Sequence, residues 1–330
     1  MTNLWSQQSE PQPDTPLISV LMAAYNAEAF IVDAISSLQR QTISQIEIIV
    51  VNDGSTDGTL RLANAMSDAD CRIHVIDLQP NRGCVEAWNA GLEHCRAPFI
   101  ARMDADDISI EDRLEKQVTY LEAHPDVALV GGAATSIDRG GHRITLIGVS
   151  PIPLDSDEIR RSLLLGPPCY HDCWLARREV YLALGGYRNL FPAEDYDFLL
   201  RAVTCGYKLA NIPDVILTIR LQPGQVSNQF ALRQRKMHGY VIRLYKERRR
   251  CGTDTYSQPA ARAAVESGKV PMRLHYLAGK CVAQAFMRTR RFEKLFFLVA
   301  AALLSPWQAR YFIDRFRMRF ICRSAGHLGA

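Results

Sequence analysis

The sequence predicts an α/β chain, a doubly wound and mostly parallel sheet over residues 17–228 followed by a helical, basic extension over residues 229–330. Three observations carry this reading. Short β-branched apolar runs recur between polar segments, as strands buried on both faces do. Helix-periodic stretches separate those runs, the alternation that builds parallel sheets. Finally, residues 1–230 hold 18 basic and 30 acidic side chains, whereas residues 231–330 hold 21 and 5.

The elements follow in order. The first sixteen residues, "MTNLWSQQSEPQPDTP", are polar and proline-bearing, with neither a basic start nor an apolar run. They read as a disordered tail, not a signal peptide. "LISVLMAAY" (17–25) and "IEIIVV" (46–51) are strands, and "AEAFIVDAISSLQRQ" between them places Phe30, Ala34, Ile35 and Leu38 at helical spacing. A helix from about Thr56, the strand "IHVID", a helix from Gly83 to His94 and the strand "FIARM" continue the alternation. The second part is more mixed. "VALVGG" and "ITLIGVS" read as strands, and a helix is expected near 155–165. "CWLARREVYLALGGY" passes from strand to a short helix ended by Gly185 and Gly186, then come a helix in "AEDYDFLLRAVTCG" and a last strand, "VILTIRL". Beyond Asn228 the texture is Arg- and Ala-rich and helical.

In open sheets of this kind ligands bind beyond the carboxyl ends of the strands. Two polar loops fall there. "VVNDGSTDGT" is a strand-to-helix turn with Ser55 or Thr56 as a good N-cap, and it places Asp53 at the strand end to bond a base or ribose. It lacks the Lys and the glycine spacing of a Walker loop or dinucleotide fingerprint. "MDADDIS" crowds Asp104, Asp106 and Asp107 into four residues. Such crowding invites a hard cation, Mg²⁺ or Mn²⁺, which takes carboxylate, phosphate and water oxygens. The plain alternative is an acidic loop capping the helix after Ser109.

Two further groups stand out. Glu194 and Asp195 in "FPAEDYDFLLRA" would occupy a helix first turn, where the dipole favours anions, or would supply a general base. "CYHDC" (169–173) superficially suggests zinc, but four ligands are needed and no second Cys or His cluster stands at matching spacing. His171, at a strand start, is expected to line the cleft.

The ordered pieces "ISVLMAAYN", "IIVVNDGSTDGT", "NRGCVEAWNAGLEHCRAPFIARMDADD", "EDYDFLLRA" and "IRLQPGQVS" together resemble glycosyltransferase family 2, inverting transferases of the GT-A fold and bacterial polysaccharide type. The resemblance covers residues 17–228, with a nucleotide-sugar part at about 17–110 and an acceptor part at about 111–228. It implies that Ala23, Tyr25 and Asp53 border the base, that Arg82 and Asp104 lie near ribose and phosphate, and that Asp106 with Asp104 holds the metal. Asp195 would be the catalytic base and Glu194 would support the acceptor or sugar, with His171 in the cleft. Ala23 stands where the family usually has Pro, Trp88 where an Arg commonly precedes the Asn at Asn89, and Ile219 where a Tyr is frequent. The implied activity moves a sugar from a nucleoside-diphosphate donor to an acceptor hydroxyl with inversion, in surface-polysaccharide or lipid-linked glycan assembly. A nucleotidyltransferase is the competing enzyme, but "MAAYNAEAF" lacks a basic glycine-rich loop. A non-catalytic, membrane-associated carbohydrate-binding protein is the other alternative.

Nine unpaired-looking cysteines fit a reducing, cytoplasmic setting. The longest apolar run, "LFFLVAAALL", has ten residues against the ~20 of a spanning helix. In residues 307–323 Phe312, Ile313, Phe316 and Phe320 form one helical stripe beside five arginines, so the extension is expected to lie on an anionic membrane surface at its inner face, the plain alternative being a helix that packs its stripe on the catalytic domain. The acidic front part argues against nucleic acid.

Overall fold

The computed structural model describes residues 15–144, 152–221, 231–266, 268–287 and 291–322. The disordered-tail expectation therefore falls almost wholly outside the described residues, as do most of "ITLIGVS" and the end of "IRLQPGQVS". Nine strands form one sheet in the order β3-β2-β1-β4-β8-β6-β9-β5, with β7 paired to β6. They are β1 Ile18–Ala24, β2 Ile46–Asp53, β3 Ile73–Leu78, β4 Phe99–Arg102, β5 Ile108–Ser109, β6 Val127–Ile137, β7 Arg143–Ile144, β8 Leu175–Arg177 and β9 Lys208–Arg220. The first four run parallel, β8 is antiparallel to both β4 and β6, and β6 pairs β9 in parallel.

Helices α1 Ile31–Gln39, α2 Thr59–Ala69, α3 Cys84–Leu92 and α4 Arg113–Ala123 cover the sheet, and α5 Ser156–Ser162, α6 Arg178–Leu184 and α7 Glu194–Thr204 lie in the second part. All eight residues of β2 are buried and β1 is nearly so, which is why both read as continuous apolar runs. One apolar cluster packs α1 and α4 against the sheet, and the other packs α3, α6 and α7. At Gly91 of α3 an added Cβ would lie 2.3 Å from Leu21 Cδ1 and 2.8 Å from Val51 Cγ2. This glycine lets the helix settle directly onto β1 and β2. Gly185 ends α6 with φ 64°, as its place in the sequence predicts.

Several boundaries differ from the sequence expectation. The helix expected from about Thr56 starts at Thr59, after Gly58, and Ser55 and Thr56 do not cap it. Instead Asn26 N–H donates to Ser55 Oγ at 3.0 Å and Thr56 N–H donates to Asn26 Oδ1 at 2.9 Å, which joins the loops after β1 and β2. Nor does the acidic loop cap a helix directly after Ser109, because Ile108–Ser109 pairs with β9 and α4 begins only at Arg113. His171 opens a short 3₁₀ turn, His171–Cys173, ahead of β8.

The extension comprises α8 Ala231–Cys251, α9 Gln258–Val265, α10 Lys269–Met287, α11 Arg291–Leu304 and α12 Pro306–Cys322. It is tied to the sheet unit through α7. Fully buried Asp197 accepts from Arg201 at 2.8 Å and lies 3.7 Å from Arg248 of α8, whose guanidinium also meets Asp254. Asp254 in turn binds Arg188 at 2.8 Å.

Candidate functional site

The strand order changes direction between β1 and β4, and in open sheets ligands bind beyond the carboxyl ends at such a point. Ala23, Tyr25, Asp104 and Asp106 come from those ends and the loops that leave them, and Asp53 from the end of neighbouring β2. Tyr25 is exposed and Ala23 half-buried. Asp53 is buried, and its two carboxylate oxygens accept from Arg82 N–H at 2.7 Å and Gly83 N–H at 2.9 Å. It thus holds the loop that carries exposed Arg82. Gly83, at φ 90°, allows that loop to turn into α3.

The acidic loop divides by environment. Asp104 is half-exposed and accepts from Arg102 Nη2 at 3.1 Å. Asp107 is buried and accepts from Arg220 N–H at 3.0 Å, while Arg220 Nε donates to the Asp106 carbonyl at 3.1 Å. Burial and the charges of Asp106 and Asp104 push the Asp107 carboxyl well above the usual range. Asp107 therefore anchors the loop to β9, which leaves Asp104 and Asp106 half-buried at the cleft.

Arg102 organises this face. Its fully buried guanidinium donates to the Leu21 carbonyl at 2.6 Å, to Asp104, and to His171 Nε2 at 3.2 Å, and it lies 4.4 Å above the Trp88 ring. Tyr187 Oη is 2.9 Å from the same imidazole nitrogen. Burial and then the Arg102 charge hold His171 well below the ordinary histidine range, so the ring is neutral. Trp88 is a core side chain packed edge-on to His171. Beneath lies Arg113, also fully buried, donating to the carbonyls of Arg102 at 2.7 Å and Asp172 at 2.8 Å.

Glu194 and Asp195 open α7. Desolvation, followed by the charge of Asp195, raises Glu194 to about 8, and its buried Oε2 has no hydrogen-bond partner. Desolvation raises Asp195 to about 6, opposed by the backbone amide of Tyr196 at 2.7 Å. Both feel the charges of Asp104 and Arg102, so the two acidic groups lie within electrostatic reach of each other. Asp197, two residues on, faces Arg201 and Arg248 and belongs to the framework.

Sequence reasoning missed Arg102, Arg113 and Asp172. Asp172 is brought against Asp104 by the 3₁₀ turn, and burial plus the charges of Asp104 and Asp107 raise it well above the usual range. Its only sequence signal was its place beside His171. The "CYHDC" group does not converge on a point. Cys169 and Cys173 are buried free thiols, and the imidazole is taken by Arg102 and Tyr187. Among the described residues no group of three or more His, Cys, Asp or Glu forms a ready-made metal cage. The donor set does suit a cation that takes one or two carboxylates and completes its shell with phosphate and water. Asp104 and Asp106 are hard oxygen donors side by side at the cleft.

Known proteins resemble this chain in sequence and in fold. The model for "Glycosyl transferase family 2" matches residues 19–185. An amylovoran biosynthesis glycosyltransferase of Erwinia amylovora, AmsE, is 32% identical over 64% of this chain and 79% of its own length. The putative glycosyltransferase EpsE of Bacillus subtilis is 34% identical over 62% and 73%. Among solved structures, S. aureus TarS in complex with UDP-GlcNAc matches 94% of this chain and 93% of its own with a TM-score of 0.56 at 16% identity. The mannosyltransferase PcManGT of Pyrobaculum calidifontis, in complex with GDP-Man and Mn²⁺, gives 0.56 at 20% identity over 93% and 87%. The fold is thus GT-A-like, and the chain belongs to glycosyl transferase family 2.

Proposed function

We propose that this glycosyltransferase moves a sugar from a nucleoside-diphosphate donor to an acceptor hydroxyl in one displacement that inverts the anomeric centre. The observation that carries the reading is the pair of carboxyl groups that opens α7, both raised by burial and both within reach of the charges of Asp104 and Arg102. Asp195, displaced only to about 6, is ionised at neutral pH and can take the proton from the attacking hydroxyl. Glu194, displaced to about 8, keeps its proton there and can donate to the acceptor or sugar. Two neighbouring carboxyl groups held in different states have different roles.

Asp106 and Asp104 would hold Mg²⁺ or Mn²⁺, which would supply Lewis-acid stabilisation of the departing diphosphate. Arg102 fixes the Asp104 carboxylate from below, and Asp53 presents Arg82 towards the same side. Ala23, Tyr25 and the Asp53 loop form the base side of the cleft, and neutral His171 buttresses Arg102.

The acceptor side points to a glycan or lipid-linked sugar at the inner face of a membrane. No described helix is long and apolar enough to cross a bilayer. Yet Ile313, Phe316 and Phe320 of α12 are more than half exposed, as are Phe292, Leu295, Phe296 and Leu303 of α11. With the basic excess of the extension, such faces suit an anionic interface.

Substituting Asp195→Asn tests the core of the proposal. Donor binding should persist, transfer should fall by about 10²-fold or more, and wild-type kcat/KM should decline as pH drops below about 6. Near-normal turnover in the variant, or a product with retained configuration by NMR, refutes the mechanism. Activity that survives both chelation and Asp106→Asn removes the metal.

A further inference from the structure

A guanidinium removed from water needs charged and polar partners to offset what it loses. Among the described residues Arg102 pairs with one carboxylate, Asp104 at 3.1 Å, whose own side chain is 42% exposed. Its other hydrogen bonds are to neutral groups. Nη1 donates to the Leu21 carbonyl at 2.6 Å and Nε to His171 Nε2 at 3.2 Å. These three partners occupy the edges of the planar group and leave its faces to be covered. Trp88 covers one of them, with its ring centroid 4.4 Å from the guanidinium carbon.

The choice of indole is informative. Trp88 is 6% exposed, and its buried Nε1–H meets no acceptor among the described residues. An unpaired buried donor costs stability, and a phenyl ring would carry none. What indole offers over phenyl is the better π face for a cation. The ring is itself held in place. His171 meets it edge-on with centroids 4.8 Å apart, and Tyr187 packs on it at 5.6 Å. The next residue, Asn89, fastens that side: its amide donates to the Tyr187 carbonyl and accepts from the Tyr187 N–H, both at 2.9 Å. Helix α3 thus delivers the indole to Arg102, and Arg102 delivers Nη2 to Asp104. Because the indole is uncharged, it holds the cation without drawing it away from Asp104, as a second carboxylate would.

We propose that Trp88 is a positioning residue for the metal-binding carboxylate: its π face holds the buried Arg102 guanidinium, which fixes Asp104 in the orientation that receives a divalent cation. The proposal rests on the reading of Asp104 and Asp106 as the metal's ligands. It adds a residue that touches neither metal nor substrate and sets the affinity of the site from the core.

Mn²⁺ titration of the full-length protein, followed by the EPR signal of the free ion with UDP or GDP at saturation, tests this. Trp88→Phe keeps an aromatic face and should weaken Mn²⁺ by no more than about threefold. Trp88→Met keeps apolar bulk without the face and should weaken it by about tenfold or more. Leu38→Ala truncates the other apolar cluster, far from Arg102, and controls for lost stability. Its Mn²⁺ affinity should stay within about twofold of wild type, since metal binding to a folded site does not depend on the folding margin. Placing 5-fluorotryptophan at position 88 keeps the shape and thins the π face. It should weaken Mn²⁺ by about twofold with the melting temperature unchanged, which tests the proposal even if Trp88→Met does not fold. Wild-type affinity in the methionine variant or the fluorinated protein overturns the proposal. So does a phenylalanine variant as weak as the methionine one, or a loss of the same size in Leu38→Ala. A wild-type protein that binds no Mn²⁺ with either nucleotide refutes the metal reading itself, whereas Mn²⁺ binding that no Trp88 variant changes refutes the role of Trp88 alone.

Discussion

Glu194→Gln should stabilise the protein at alkaline pH while impairing transfer. In the folded chain Glu194 is 6% exposed, its Oε2 accepts no hydrogen bond, and Asp195 adds a like charge beside it. Its carboxyl accordingly titrates near 8 in place of the ordinary 4.5. The unfolded chain loses this proton near 4.5, whereas the folded chain keeps it to about 8. Between those values the folded state binds more protons, so stability falls as pH rises. Below about 4.5 both states are protonated and the cost vanishes. Each tenfold displacement of an ionisation equilibrium is worth about 1.4 kcal/mol. Because Asp195 shares the burden, about 2–4 kcal/mol is the expected cost at pH 8. A glutamine keeps the shape and removes the charge. Thermal melts of wild type and variant at pH 5 and pH 8 provide the assay. The gap between their midpoints should widen by roughly 4–8 °C at the higher pH, taking about 2 kcal/mol and a unit of this size. A gap that does not change with pH would show that Glu194 carries no buried ionisation cost, and the assignment of unequal protonation states to the pair would fail with it.

Two framework substitutions test other parts of the structure. Gly91→Ala adds a methyl 2.3 Å from Leu21 Cδ1. It should lower stability by about 1–2 kcal/mol net, since overpacking of about 1–3 kcal/mol outweighs up to ~1 kcal/mol of helix propensity, and a variant as stable as wild type in urea refutes that packing. Asp197→Ala leaves Arg201 and Arg248 buried without their shared anion. The expected loss is about 3–5 kcal/mol by denaturant melts, and a loss below about 1 kcal/mol would show that the two guanidiniums find other partners.

The parallel half of the sheet was legible because β1, β2 and β4 bury both faces, which leaves an unbroken apolar signature. The acidic loop and the Glu194–Asp195 pair were legible from their types and order. What escaped was the support. Arg102 and Arg113 look like surface charges in "FIARMDADD" and "EDRLEKQ", yet both are fully buried. The Arg102 guanidinium is tolerated there by Asp104 two residues on together with partners far along the chain, the Leu21 carbonyl and His171. Asp172 was hidden for the same reason, since only the fold of the 3₁₀ turn brings it against Asp104. The long β9 was underestimated because exposed Lys208 and the Pro–Asp pair within it resemble a loop, although parallel pairing with β6 holds it straight through register shifts. In the extension, the aromatic stripe of α12 shares a concavity with Arg161 and Leu165, about 150 residues earlier in the chain, which no local periodicity announces.

Helix α7 carries the candidate base at its second residue and the anchor for the extension at its fourth. The matched family region ends at residue 185, before this helix begins. The turn that carries the candidate base therefore also fastens the extension to the sheet unit. A change in the extension that removed Arg248 would strip a counter-charge from Asp197, two residues from that base, so the basic helices and the acid pair are not independent of each other.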